Sequence, residues 1–320
     1  MSRFAKLAVA TTAATLVLVA LGGVVRAMEA GLGCPDWPTC YGAANPPSEL
    51  AAGPLRLAWI EHSHRLWASV VVALIVALAV AARRSGQPRA VRRASLLLVP
   101  AVLSQALLGA VVVWAKLDAE TVTLHLAGAL TIVGLCGYVV LRAVGLGPAD
   151  DAGPAARRGG GLVVLTTTTA AVTFGQMLLG SSVTGYDAGL AYTTFPSFQG
   201  RLIPRVAAEV APWLHIAHRA VAFALAALVA ALAVRIRRTP DVLLRRLAGV
   251  AVLLVAVQIA LGAANIWWRL SAWSVVPHLA VGSWLWLVTV AIALRARWHG
   301  PTVDTAVRPA VARRDLQVTR

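Results

Sequence analysis

The sequence predicts an all-α integral membrane protein with eight transmembrane helices, arranged as two pseudo-twofold-related four-helix bundles. Three observations predict it. Hydrophobic residues make up 59% of the 320-residue chain and charged residues only 13%, with a mean hydropathy of +0.75, a balance outside that of soluble domains. Apolar runs of about 20 residues, the length that crosses a hydrocarbon core, recur along the chain. The second half also repeats the first.

The first span, 7–27, follows Arg3 and Lys6 and on that pattern alone would pass for a secretory signal. Its counterpart lies deep in the chain, where cleavage is impossible, so it reads as a permanent span. The others fall at 58–82, 94–115, 122–143, 161–182, 210–234, 247–266 and 273–294. All are continuous runs rich in Ala, Leu and Val, without the alternation of a barrel strand. Residues 1–143 then form an N-terminal bundle and 161–296 a C-terminal one. The segment 144–160, with glycines, prolines and charge, reads as a linker, and 297–320 as a basic tail.

A net charge of +16 invites a nucleic-acid reading, which the distribution removes. Of the 29 Lys and Arg residues, 21 lie in the N-terminus and the segments 83–93, 142–160, 235–246 and 295–320. The alternate segments 28–57, 116–121, 183–209 and 267–272 hold five. This asymmetry places both termini and the linker on the cytoplasmic side of a cell (inner or plasma) membrane, with the long loops outside. Basicity serves orientation and contact with anionic membrane lipid, and nucleic acid is not a partner.

The repeat is read from fixed offsets. Leu21-Gly22 and Ala30-Gly31-Leu32 return as Leu179-Gly180 and Ala188-Gly189-Leu190, and Trp37-Pro38 as Phe195-Pro196, all 158 residues on. His64-Arg65 matches His218-Arg219 after a four-residue shortening of the second loop. Gln105 and Gln258 each head a Leu-Gly step and each precede a histidine, His125 or His278, by 20 residues. Both halves start on the same side, so the repeat is parallel. The long loops, rich in aromatic residues and proline, are candidate caps over the bundles.

Six of the seven histidines sit at the outer ends of spans: His62, His64, His125, His215, His218 and His278. Ionisable side chains within a membrane are rare and face interior sites. Four of these repeat at one depth on even-numbered spans, one pair per half: His64 with His125, and His218 with His278. Two facing imidazoles per bundle suit bis-histidine haem ligation, whereas zinc wants four ligands, or three and a water. Arg65 and Arg219 directly follow ligand histidines and are candidate partners for haem propionates. Glu61 breaks the symmetry. It precedes His64 by one helical turn on the same face, and its counterpart is His215, so the first site is the candidate for chemistry. Gln105 and Gln258 are candidates for interhelical hydrogen bonds. Cys136, inside the fourth span, reads as a small buried hydrophobe. Cys34 and Cys40 share an outer loop in Cys-Pro-Asp-Trp-Pro-Thr-Cys. A disulfide is permitted and geometrically feasible there, and the spacing leaves it open.

These residues together resemble the haem A synthase family along all eight spans. The match runs through Gly33-Cys34-Pro35-Asp36-Trp37-Pro38, Glu61-His62-Ser63-His64-Arg65 (a Glu-x-x-His-Arg pattern), His125, His218-Arg219 and Pro277-His278. The resemblance implies oxidation of the C8 methyl of haem O to a formyl group, yielding haem A for cytochrome c oxidase. It implies substrate haem on His64 and His125, haem b as cofactor on His218 and His278, Glu61 as the reacting carboxylate, and a Cys34–Cys40 pair. Haem O synthase, cytochrome c oxidase assembly factors and a second copy of the chain are candidate partners. Some members carry a second cysteine pair in the loop matching 183–209; this chain has none. Two other classes compete: a di-haem cytochrome for quinol-linked electron transfer, with equivalent sites, and a transporter built on the parallel repeat.

Overall fold

The computed structural model describes residues 1–147, 160–204 and 209–299. Its helices are α1 (Arg3–Ala27), α2 (Ala52–Arg84), α3 (Arg89–Trp114), α4 (Ala119–Ala143), α5 (Gly161–Gly185), α6 (Val210–Ile236), α7 (Val242–Trp267) and α8 (Ala272–His299), with one short 3-10 turn at Ala188–Leu190. All eight are long and apolar enough to cross a membrane. The described residues form no strand beyond two isolated bridges, Cys40 with Ala43 and Phe198 with Arg201.

Each helix runs past its predicted apolar span at one or both ends, because hydropathy marks only the part suited to hydrocarbon. Capping side chains extend several of them. Ser2 accepts from the Ala5 N–H at 3.1 Å, Asp118 from Glu120 and Thr121, and Asp241 from Leu244 at 3.0 Å. Each satisfies donors that the first turn leaves without partners. Helix α8 continues through 297–299, assigned to the tail from sequence. Most of the predicted linker (148–159) and the tail from 300 onward lie outside the described residues.

Helix α1 packs against α2, α4 and α8, and α3 against α2 and α4. Helix α5 packs against α4, α6 and α8, and α7 against α6 and α8. One cluster of buried side chains draws Phe4, Val71, Ile75, Leu98 and Cys136 from α1–α4. Another draws Leu162, Leu225, Leu232, Leu244 and Ile292 from α5–α8. Cys136 is free and buried, serving as a packing residue. Between α4 and α8, small residues allow close approach: a Cβ on Gly137 would collide with Leu287. Nearby, the Trp286 indole donates to the Leu130 carbonyl at 2.7 Å. Several threonines inside the helices are satisfied locally, as an apolar solvent demands. Thr11, Thr12, Thr15, Thr169 and Thr173 each donate to the carbonyl four residues earlier at 2.8 Å.

The repeat persists in the backbone. Left-handed residues Glu29, Tyr41 and Gly42 recur as Asp187, Gln199 and Gly200, and Lys116 and Leu117 recur as Arg269 and Leu270. Both Trp37–Pro38 and Phe195–Pro196 are cis.

At the opposite ends of the helices, Arg295 joins three elements. It donates to Asp241 at 2.8 Å and to the Leu146 carbonyl at 2.9 Å. Burial raises the Asp241 carboxyl, but the Leu244 N–H and the Arg295 guanidinium outweigh it and hold the group below its ordinary value. A depressed carboxylate stabilises the fold above its unfolded pKa, and that contribution is lost as pH falls through the folded value. Asp241→Ala should therefore cost about 1–2 kcal/mol at neutral pH, read as a lower melting temperature in detergent. The wild-type advantage should shrink on acidification through the carboxylate range.

Candidate functional site

Four histidines make the same contact. His64 on α2 lies on Gly22 of α1, His125 on α4 lies on Gly109 of α3, His218 on α6 lies on Gly180 of α5, and His278 on α8 lies on Gly262 of α7. A Cβ at these glycines would stand 3.3, 3.3, 3.1 and 3.4 Å from the respective imidazole Cε1. An added Cβ would need the ring to give by a few tenths of an ångström at the first three glycines and would stand in ordinary contact at Gly262, so branched side chains would displace the rings. In the sequence the Leu-Gly steps serve only as markers of the repeat. Their function as seats for the histidines is the feature that sequence reasoning missed, although the recurrence was its signal.

The rings of His218 and His278 meet edge to face, with centroids 6.4 Å apart and planes inclined at 64°. Two imidazoles sharing one metal ion at about 2 Å from each ring nitrogen stand roughly 6 Å apart, centre to centre. His64 and His125 lie within electrostatic reach of one another. The Nδ1 atoms of His64, His125 and His278 are buried without a hydrogen-bond partner. Among the described residues no three His, Cys, Asp or Glu side chains converge; the nitrogen donors come in twos. Paired axial ligands of this kind fit an iron held by a porphyrin better than they fit zinc.

Glutamines border the pairs. Gln105 donates to the His125 carbonyl at 2.6 Å, the interhelical bond expected of it. Gln258 approaches Gly282, its Nε2 3.0 Å from where a Cβ would stand, and its Oε1 is buried without a partner. Gln176, on α5, reaches His218 itself; the sequence analysis did not single it out.

Arg65 locks the loop between α1 and α2 onto α2. Its Nη1 donates to the carbonyls of Asp36 (2.8 Å) and Thr39 (2.9 Å), and its Nη2 to the Cys34 carbonyl (3.2 Å) and Glu61 Oε1 (2.5 Å). Four of its five N–H donors are thus engaged, leaving no pair for a bidentate propionate contact. Glu61 is buried, and its Oε2 accepts from the Cys34 N–H at 2.8 Å. One carboxylate oxygen therefore meets the loop backbone and the other the Arg65 guanidinium. The loop itself is closed by the Cys34–Cys40 disulfide and organised by Asp36. Burial raises the Asp36 carboxyl, but the Thr39 hydroxyl and the Gly42 and Tyr41 N–H groups outweigh it and hold the group low.

The second loop reproduces this with other chemistry. Arg219 donates to the carbonyls of Tyr192 (3.1 Å) and Ser197 (3.2 Å), the counterparts of Cys34 and Thr39. His215 takes the place of Glu61. Its Nε2 lies 3.0 Å from Arg219 Nε and its Nδ1 3.3 Å from the Tyr192 nitrogen, and a neutral ring accepts at one of the two nitrogens at a time. Tyr192 and Phe198 occupy the positions of the disulfide and meet edge to face at 5.0 Å. Arg219 is buried, lies 4.8 Å from the Phe198 ring centre, and has no carboxylate partner among the described residues. An imidazole thus occupies the place of the carboxylate in the second latch, with one acceptor nitrogen where Glu61 has two acceptor oxygens. His62, also unmatched in the second half, is buried against Trp59 with neither ring nitrogen partnered.

The glycine seats are testable by spectroscopy. Gly180→Val should displace His218 and reduce or abolish a bis-histidine haem spectrum in the purified protein. Gly249→Val, on α7 with nothing near its added side chain, should leave that spectrum intact.

Similarity to known proteins agrees with this geometry. The profile of the cytochrome oxidase assembly protein family matches residues 5–290. A haem A synthase of Shewanella oneidensis is 28% identical, over 89% of this chain and 94% of its own length. One from Paracoccus denitrificans is 30% identical, over 92% and 87%, and one from Caulobacter vibrioides is 28% identical, over 89% and 93%. A match that runs from α1 into α8 covers both histidine pairs and both latched loops, and on it the chain belongs to the cytochrome oxidase assembly protein family.

Proposed function

We propose that this protein is a haem A synthase. It oxidises the C8 methyl of haem O to a formyl group and supplies haem A to cytochrome c oxidase. The observation that carries the reading is a pair of duplicated histidine sites that differ by one carboxylate. The first half, 1–143, forms one four-helix bundle and takes the substrate haem on His64 and His125. The second, 161–296, forms another and keeps haem b on His218 and His278. Bound iron porphyrin supplies the electron transfer that oxidation of an unactivated methyl requires.

The residues of the chain provide position, charge and proton handling. Gly22 and Gly109 set the depth of the substrate ligands. Glu61, held by Arg65 and the Cys34 N–H, is the base for protons that leave during methyl oxidation. Arg219, cationic and without a carboxylate partner among the described residues, suits a haem propionate. Arg65 would reach one only through its remaining donor. The protein sits in the cell membrane with both termini cytoplasmic, so the sites lie near the outer surface. Haem O synthase and oxidase assembly factors are its proposed partners, and a homo-oligomer its proposed assembly.

In cells that make haem O, haem A should be present in acid extracts only when this chain is expressed. His218→Ala or His278→Ala should remove the low-spin haem b spectrum; undiminished haem b in both would refute the second-half site. Glu61→Gln keeps shape and much of the hydrogen bonding while removing the base. It should retain haem b and slow haem O conversion by about 100-fold or more. Near wild-type haem A at equal protein level would end the catalytic assignment.

A further inference from the structure

At the end of the first bundle away from its histidines, a cleft of about 560 Å³ opens between α1 and α2. Phe4, Leu7, Ala77 and Val80 line it, together with Arg3 and Arg84. Arg3 opens α1 and Arg84 closes α2, so both arginines stand at the same end of this antiparallel pair. Leu7, Ala77 and Val80 fall within the spans 7–27 and 58–82, whereas the arginines fall just outside them. The cleft therefore straddles the boundary between hydrocarbon and headgroups. No acidic residue lines it, and neither arginine pairs with a carboxylate among the described residues. Two like charges on one cleft repel each other until an anion stands between them. The second half does not repeat the arrangement. At the offsets of the duplication Gly161 replaces Arg3, and Arg235 replaces Ala81 of the cleft wall.

We propose that this cleft binds one anionic phospholipid, with its phosphate on Arg3 and Arg84 and an acyl chain along Phe4, Leu7, Ala77 and Val80. The site asks for a ligand that is anionic at one end, hydrocarbon along the rest, and held at this depth of the bilayer. A phospholipid of the adjoining leaflet meets all three demands and needs no path to reach it. A guanidinium matches phosphate oxygens with parallel, charge-assisted hydrogen bonds. A zwitterionic headgroup would bring its own cation beside the same two arginines, so the net anionic headgroup is preferred. Free phosphate would make no use of the apolar walls. The volume lies within the range of small-ligand sites, roughly 300–1,000 Å³. Among the described residues, the side-chain hydrogen bond that joins α1 to α2 is that of the Trp67 indole to the Ala14 carbonyl, at 2.9 Å and deeper in the bundle. A lipid held by both arginines would tie the two helices at their ends, as Arg295 ties Asp241 to the Leu146 carbonyl in the other half. The site is separate from both histidine pairs and independent of the haem reading.

The test is native mass spectrometry of the full-length protein in neutral detergent, titrated with phosphatidylglycerol or with phosphatidylcholine of equal acyl length. Wild type should bind its first phosphatidylglycerol at least fivefold more tightly than its first phosphatidylcholine. Arg84→Gln should weaken that first binding about fivefold, the effect of one arginine beside an anionic lipid. Ala77→Phe keeps both charges while filling the wall, and should weaken it by a similar factor. Arg83→Gln, an exposed neighbour on α2 that does not line the cleft, should leave it unchanged. Equal binding of the two lipids by wild type overturns the proposal. Equal losses in Arg83→Gln and Arg84→Gln reduce the effect to general surface charge and also overturn it, as does undiminished binding in Ala77→Phe. Where Ala77→Phe does not accumulate, the comparison of Arg84→Gln with Arg83→Gln decides. Haem O is itself an amphipathic anion. Loss of bound haem in Arg84→Gln, with phosphatidylglycerol binding unchanged, would assign the cleft to haem and overturn the lipid.

Discussion

An imidazole placed within an apolar helix needs a seat that neither exposes it to lipid nor displaces the neighbouring helix. In this protein the seat is a glycine backbone. The missing Cβ lets each even-numbered helix lay its histidine on the helix before it, at 3.1–3.4 Å from where that Cβ would be. Contacts this tight leave little freedom in the axial register of α1 on α2, α3 on α4, α5 on α6 and α7 on α8. Register in turn brings the rings of His218 and His278 together, their centres 6.4 Å apart. A packing constraint thus becomes a ligand geometry.

The same frame carries two different sites because duplication preserved the backbone and released the side chains. Left-handed turn residues and arginine latches recur, while three substitutions set the halves apart. Glu61 opposes His215, the Cys34–Cys40 disulfide opposes the Tyr192–Phe198 ring pair, and Leu18 opposes Gln176. The first two exchanges preserve the latch. A carboxylate or an imidazole can stand between the loop N–H and the arginine, and a covalent bridge or an aromatic contact can close the loop. What they change is charge and chemistry. One site gains a carboxylate beside a covalently closed loop, and the other gains a cation, Arg219, cushioned by aromatic rings. That division of labour fits one haem being altered and another being retained.

Much was determined by the sequence alone. The eight spans follow from runs of apolar residues, since hydrocarbon thickness sets their length. The repeat, the four duplicated histidines and the unmatched Glu61 follow from offsets between residues, which need no coordinates. Tertiary structure decided what those residues touch. These helices are apolar on nearly every face, so periodicity does not show which side of α5 carries Gln176 toward His218, or that Gly180 lies beneath the ring. Arg65 reads in sequence as a propionate ligand because it follows a histidine near the membrane surface. Four of its donors are instead engaged by Glu61 and by loop carbonyls that a chain reversal turns inward. His215 reads as a sixth span-end histidine and proves to be the stand-in for Glu61 in the second latch. Spacing along one chain records which residues are equivalent, but contact depends on helix rotation and loop path, and packing alone sets those.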